Sequence, residues 1–342
     1  MTNRNGRTGR GYLGIGVAIG AVMLLGACGS DDTSGQGGMG ASGGSAPDAG
    51  GAGGSTGGSA GVGATGGSGG AGATGGSGGA GATGGAGGTG GASPGAVVGL
   101  DGVAAFDAMS NADKDTLRAT KVFFYHMSVG GNLLAGYNHW DPPWVAGAAY
   151  LGFEFDTADT ASAYDNGLTL GEMVFGFNGD PFAKIDAYKS RLLGQGYAGK
   201  LDVAGFKFCY NDVTTDVTTT ADDVIAAYEA AYDTIEATAP GVRFFHITTP
   251  LQPANQWQTV ENNTLRIKLG SWMKTRYAGG RHVVFDLQEV ESTTSAGEAC
   301  QQGGVRVLCD EWKGDNDGHL NDEGSTRAAK AFLYAISLAA RH

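Results

Sequence analysis

From Gly29 to about Ser93 the chain is almost wholly glycine, alanine, serine and threonine, and Gly63–Ala71 (GATGGSGGA) recurs unchanged as Gly72–Ala80, with a variant from Gly81. Side chains this small cannot remove enough apolar surface from water to offset the entropy of ordering the backbone. The segment is expected to be a flexible linker, and a coil of about 65 residues has an r.m.s. span of roughly 45 Å. Nine-residue glycine repeats also build calcium-binding β-helices, but those carry an aspartate in each turn and this repeat has none. Any fold must therefore come from residues 97–342, enough for one domain with a sizeable core.

Ahead of the linker, a basic segment (Arg4, Arg7, Arg10) leads through an apolar stretch, Tyr12 to Gly26, to Leu24-Leu25-Gly26-Ala27-Cys28. This is the three-part layout of a secretory signal. At about 15 residues the apolar stretch is shorter than the roughly 20 that span a bilayer. Its end resembles the bacterial lipobox, which implies cleavage of residues 1–27 and acylation of Cys28. Residues 28–96 then carry the lipidated cysteine and the disordered linker. Gly29 takes the place of the aspartate that retains such proteins in the inner membrane, so the resemblance points to export and a membrane-anchored position at the outer membrane or cell surface. The chain carries net charge −12 with a pI near 4.8, and no cluster of lysine or arginine follows the signal, which argues against a nucleic-acid partner. In an exported domain, Cys300 and Cys309, nine residues apart in a polar loop, are expected to form a disulfide, leaving Cys209, in an apolar run, as a buried thiol.

Within residues 97–342, short apolar runs alternate with longer amphipathic segments. Val122–Tyr125, Ala149–Phe155, Val203–Tyr210, Val242–Thr248 and His282–Leu287 read as buried strands. Pro181–Leu193, Ala221–Ala237, Trp257–Tyr277 and Glu323–Ala340 read as helices. In Ala221–Ala237, Val224, Ile225, Tyr228, Tyr232 and Ile235 share one face at a 3.6-residue period. Strands separated by helices need crossovers, so the expected fold is α/β, a three-layer α/β/α sandwich with a mostly parallel, about five-stranded, flavodoxin-like sheet. Sites in such sheets gather at the carboxyl ends of the strands.

The first strand runs into Tyr125-His126-Met127-Ser128-Val129-Gly130-Gly131-Asn132, placing Ser128 at a strand-to-helix turn. There its Oγ would be exposed beside backbone N–H groups. Near the other end, Asp315-Asn316-Asp317-Gly318-His319 precedes the last helix, and a histidine beside carboxylates can serve as general base toward a serine. The acidic loop lacks the glycine and carboxylate spacing of an EF-hand, and no metal or other cofactor is expected. These blocks resemble the SGNH, or GDSL-like, hydrolase family over most of residues 118–342. The resemblance assigns Ser128 as nucleophile, with His126-Met127 in place of Gly-Asp, and His319 as base. It assigns the oxyanion hole to the N–H groups of Ser128 and Gly179 (in Phe177-Asn178-Gly179-Asp180-Pro181), with Gly176 close behind as the glycine, and the side chain of Asn211 (in Cys209-Tyr210-Asn211-Asp212). The family's aspartate stands three residues before its histidine, a place held here by Asn316. The carboxylate is expected from Asp317 in preference to Asp315.

By this resemblance the chain is expected to be a lipid-anchored serine esterase or acylhydrolase, a carboxylic ester hydrolase working through an acyl-enzyme. Its substrate would be an acylated small molecule or polysaccharide, with deacetylation of a polysaccharide in view. The alternative is a domain of the same fold that holds a glycan or cell-wall component without cleaving it, which Asn316 favours. A flavin carrier of the same architecture would need a Ser/Thr-rich phosphate-cradling loop after the first strand, and none is present. Trp140-Asp141-Pro142-Pro143-Trp144 reads as a proline-locked loop packing on the core or as an aromatic wall for substrate, and His126 and His139 as structural or pocket-lining.

Overall fold

The computed structural model describes residues 96–137, 143–216, 220–316 and 318–341. The signal segment, Cys28, the glycine-rich linker, His139, Trp140 and Asp317 lie outside the described residues. In chain order the elements are β1 (Val97–Val98), α1 (Asp101–Asp107), α2 (Asn111–Ala119), β2 (Val122–His126), α3 (Val129–Ala135), α4 (Gly147–Tyr150) and β3 (Asp156–Thr157). There follow β4 (Leu170–Val174), α5 (Pro181–Lys189), β5 (Val203–Phe206), α6 (Ala221–Thr238), β6 (Arg243–Ile247) and α7 (Thr259–Arg276). The chain ends with β7 (His282–Phe285), α8 (Leu287–Glu291), the hairpin β8 (Gln301–Gln302) and β9 (Val305–Arg306), and α9 (Asp322–Arg341).

Seven strands form one sheet in the order β1-β7-β6-β5-β2-β4-β3, and every pairing within it is parallel. A parallel sheet needs both faces covered, because its crossover helices lie on the faces. The central strands are accordingly rich in buried apolar residues, and alternate residues feed two cores. Val122, Phe124, Phe245, Ile247 and Phe285 face a layer that includes α9. Phe123, Tyr125, Phe206, Phe244 and Val284 face the layer of α5, α6 and α7. The expected three-layer α/β/α sandwich is what the chain forms, with two more strands than expected.

The helices begin where local chemistry allows. At α6, Thr220 Oγ1 accepts from the Asp223 N–H at 3.2 Å while Asp223 Oδ2 accepts from the Thr220 N–H at 3.0 Å, a reciprocal cap. Val224, Tyr228, Tyr232 and Ile235 are buried along one face, as the period requires, with Ile225 at its margin. Ala149–Phe155, expected as a strand, is instead the end of α4 and the loop that follows. Ala149, following Ala148, favours helix, and Gly152, at φ +80°, takes a left-handed turn that no strand can hold. The strand on that side of β2 is β4, in which Gly171 and Glu172 interrupt the apolar run. Their places have tertiary causes: a Cβ on Gly171 would lie 2.1 Å from the Tyr164 hydroxyl, and Glu172 pairs with His126.

The last helix completes the sandwich. Phe332 is fully buried and packs its ring against those of Phe124, Phe245 and Phe285 at centroid distances of 4.9, 5.6 and 6.0 Å. Three strands meet at this one side chain, so Phe332→Ala is expected to lower stability by about 3–5 kcal/mol. Denaturant unfolding measures this, and a loss below about 1 kcal/mol would show that the layer re-packs around the void.

Candidate active site

β2 ends at His126, and two residues later Ser128 adopts φ 55°, ψ −116°, a region that side-chain-bearing residues occupy only when the surroundings compel it. The turn lifts Ser128 to the head of α3. Its Oγ lies 2.8 Å from Nε2 of His319, and the two residues are 191 positions apart in sequence. On the far side of the ring, Nδ1 lies 2.7 Å from Asp315 Oδ2, and the His319 backbone N–H donates to Asp315 Oδ1 at 3.1 Å. An ionised carboxylate only accepts, so Nδ1 carries the proton and the Nε2 lone pair faces the serine hydroxyl. The His319 and Asp315 side chains keep 16% and 25% of their surface exposed, so substrate and water can reach the pair.

Asp317, expected as the carboxylate, lies outside the described residues, and the carboxylate on Nδ1 belongs to Asp315. The loop achieves this by a glycine. Gly318 sits at φ +99°, and a Cβ there would lie 3.4 Å from the Leu251 carbonyl oxygen and 3.8 Å from the Tyr210 ring. The turn that Gly318 permits carries His319 back over the carboxylate four residues earlier, one residue beyond the family's spacing. The loop is closed by the Gly314 N–H donating to the His319 carbonyl at 2.8 Å and by the Leu320 N–H donating to Asn132 Oδ1 at 3.3 Å. Asn132 belongs to α3, so the helix that starts at the serine also holds the histidine loop. The Tyr137 hydroxyl donates to Asp315 Oδ2 at 3.4 Å.

Of the three expected oxyanion donors, two are open. The Ser128 N–H has no hydrogen-bond acceptor among the described residues, and the half-buried Asn211 side chain has no partner among them. The Gly179 N–H is committed: it donates to Asp212 Oδ1 at 2.9 Å. One amide proton held by a buried carboxylate is not free to receive a developing oxyanion, so the expectation for Gly179 is corrected.

Other titratable groups nearby have structural roles. His126 is buried, stacked on Phe124, with Nε2 2.9 Å from Glu172 Oε2, and burial lowers its pKa against the pull of that carboxylate. His246 is wholly buried between the Tyr228 hydroxyl at 2.8 Å and His282 at 3.0 Å. Cys300 and Cys309 form the expected disulfide, and Cys209 is buried outside it. A concavity of about 570 Å³ beside α7 and β9 is lined by Lys274, Asp286, Gln288 and Arg306 and does not include Ser128 or His319. There Lys274 pairs with Asp286, and Arg306 donates to the Ser292 and Thr293 hydroxyls.

Sequence reasoning passed over the supports of the site, Tyr137, Asn132, Asp212 and Lys184. Only the proximity of Asn132 to Ser128 and of Asp212 to Asn211 marked any of them.

No protein-family model matches the sequence, and no curated protein matches it. Solved structures resemble it in outline. A protein of Parabacteroides merdae provisionally described as a GDSL-like lipase superposes at 12% identity, over 64% of this chain and 96% of its own, with a TM-score of 0.41. An acetyl esterase variant bound to acetate superposes at 14% identity over 61% and 92%, with a TM-score of 0.39. A family 3 carbohydrate esterase from Talaromyces cellulolyticus does so at 12% identity over 62% and 94%, with a TM-score of 0.36.

The Leu251 backbone that lies beside Gly318 rests on a buried acid. Glu291 is 1% exposed and accepts the Leu251 N–H, and its carbonyl accepts the Cys309 N–H at 2.9 Å. Burial pushes its carboxyl from an ordinary 4.5 up to about 8, with the Leu251 N–H, Lys207 and Arg266 opposing and Asp286 adding to the rise. Below pH 4.5 the carboxyl is protonated in both the native and unfolded states. Between 4.5 and 8 the unfolded chain ionises while the native protein keeps its proton, so this group makes native stability fall by up to about 1.4 kcal/mol per pH unit. Glu291→Gln keeps the acceptor and removes the titration, so its stability is expected to decline less than wild type between pH 5 and 8. Parallel curves in denaturant unfolding across that range would refute this.

Proposed function

We propose that this protein is a serine esterase or acylhydrolase whose nucleophile is Ser128. The single observation that carries the reading is the hydrogen-bonded series from Ser128 Oγ through both nitrogens of His319 to Asp315, at 2.8 and 2.7 Å. His319 takes the serine proton as Oγ attacks an ester carbonyl, and the Asp315 carboxylate stabilises the imidazolium that forms. The negative charge on the carbonyl oxygen is received by the Ser128 N–H and the Asn211 side-chain N–H. The intermediate collapses as His319 returns the proton to the departing alcohol oxygen. Water, giving a proton to His319, then attacks the acyl-enzyme, and the acid leaves as the serine recovers its proton.

The substrate we propose is an acyl group, acetyl for preference, on a polysaccharide. Trp144, in the loop between α3 and α4, and Phe177 and Trp257, in the loops that follow β4 and β6, present aromatic side chains to solvent, the last two 84% and 72% exposed. Aromatic faces of this kind are suited to stacking on sugar rings. Tethering through a lipid on Cys28, after removal of residues 1–27, would hold the domain of residues 97–342 off an outer membrane or cell surface by the length of the 28–96 linker. The non-catalytic reading rested on Asn316, and it loses that support because Asp315 supplies the carboxylate.

Turnover of p-nitrophenyl acetate and butyrate, with labelling by a fluorophosphonate, tests the mechanism. Ser128→Ala and His319→Ala are expected to lose labelling and more than about 10³-fold in kcat. Asp315→Ala is expected to lose about 10²–10⁴-fold, and Asp317→Ala to stay within the same order of magnitude as wild type. A folded wild-type protein with neither turnover nor labelling would overturn the proposal.

A further inference from the structure

Beneath the two loops that follow β4 and β5 lies an ion pair wholly removed from water. Lys184 and Asp212 are each 0% exposed, and Nζ lies 2.8 and 2.7 Å from the two carboxylate oxygens. Asp212 takes two further donors: the Gly179 N–H at 2.9 Å on Oδ1 and the Cys209 N–H at 2.7 Å on Oδ2. Lys184 also donates to Asn178 Oδ1 at 3.3 Å, and its methylene chain runs directly under Gly176, where a Cβ would meet Cγ at 3.0 Å. One carboxylate thus fastens residues 176–180 to residues 209–212 from below.

Stability does not explain such a pair. The cost of stripping water from two charges roughly cancels their attraction, and packed apolar side chains would serve as well. What a buried acceptor with two oxygens and a fixed cation does supply is direction, because each donor must meet it at one place. The residue next to Asp212 in the chain is Asn211, and Tyr210, on its other side, lies against Gly318 beside His319.

We infer that Asp212, charged and held by Lys184, is a positioning residue for the oxyanion site. By tying Cys209 to Gly179 it fixes the turn that aims the Asn211 side chain at the acyl oxygen. It also keeps the Gly179 N–H as a structural donor, so the oxyanion is received by two groups, the Ser128 N–H and the Asn211 side chain. The inference rests on the esterase reading.

The test is the full chain carrying Asp212→Asn with Lys184→Met, which removes both charges without leaving one unpaired. Asparagine has one acceptor oxygen where aspartate has two, so either the Gly179 or the Cys209 N–H must let go. Fluorophosphonate titration counts the competent sites, and kcat for p-nitrophenyl acetate is expressed per labelled site. The expected result is a loss of at least about tenfold in kcat per site with KM within about threefold. Combined with Asn211→Ala, the two losses are expected to be less than multiplicative, since both act on one donor. A merely structural role would lower the number of labelled sites and the melting temperature but leave kcat per site at the wild-type value, and that result overturns the inference. If the double variant does not fold, Asp212→Asn alone is read in the same way. A wild-type protein without turnover or labelling instead removes the esterase reading and the inference with it.

Discussion

Ser128 and His319, 191 positions apart, meet at the end of β2 because α9 must cover the sheet. A parallel sheet left wet on one face would expose Phe124, Phe245 and Phe285, all fully buried against Phe332. Once α9 docks, the segment just before it, from Gly314 to Leu320, has no choice but to lie over the strand ends. The apolar layer therefore does more than stabilise. It sets the distance between Ser128 and His319, and the hydrogen bonds around the loop only refine a position that packing has already imposed.

Those refinements form a nested series. Ser128 is held in a backbone conformation that costs about 1–3 kcal/mol in isolation, sustained because β2 is paired on both sides and α3 is anchored through Asn132 to Leu320. His319 is held by Asp315, Asp315 is contacted by Tyr137, and the Leu251 backbone beside Gly318 rests on Glu291. Asn132 and Glu291 are buried and Asp315 half-buried, so their hydrogen bonds act in surroundings where losing one partner is expensive. Rigidity of this kind lets a serine hydroxyl wait within 2.8 Å of a base without any rearrangement.

Layered α/β architecture was legible in the sequence, because short β-branched or aromatic runs separated by amphipathic segments have few other solutions. The β2 serine turn and the last-loop histidine were legible too, as polar residues standing where strands and helices change over. The errors fall where a local signal was balanced. Ala149–Phe155 is apolar enough for a strand, yet Ala149, following Ala148, and Gly152 made it a helix end and turn. β4 was hidden because Gly171 answers to Tyr164, in the turn that precedes the strand, and Glu172 to His126, on the neighbouring strand. Asp315 stands one residue outside the expected spacing, and only the backbone turn at Gly318 says which carboxylate the ring will meet.

By itself, the sequence determined that a fold must come from residues 97–342, that it is layered α/β, and that a serine and a histidine stand at the turns after β2 and before α9. All of these follow from composition, period and side-chain type, which are properties of short stretches. Tertiary structure alone decided that Ser128 and His319 meet, that Asp315 completes them, and that the Gly179 N–H is already taken by Asp212. Those outcomes depend on distances of a few tenths of an ångström between segments far apart in the chain. Such distances are set by the packing of the whole sheet and its helices, and no local pattern encodes them.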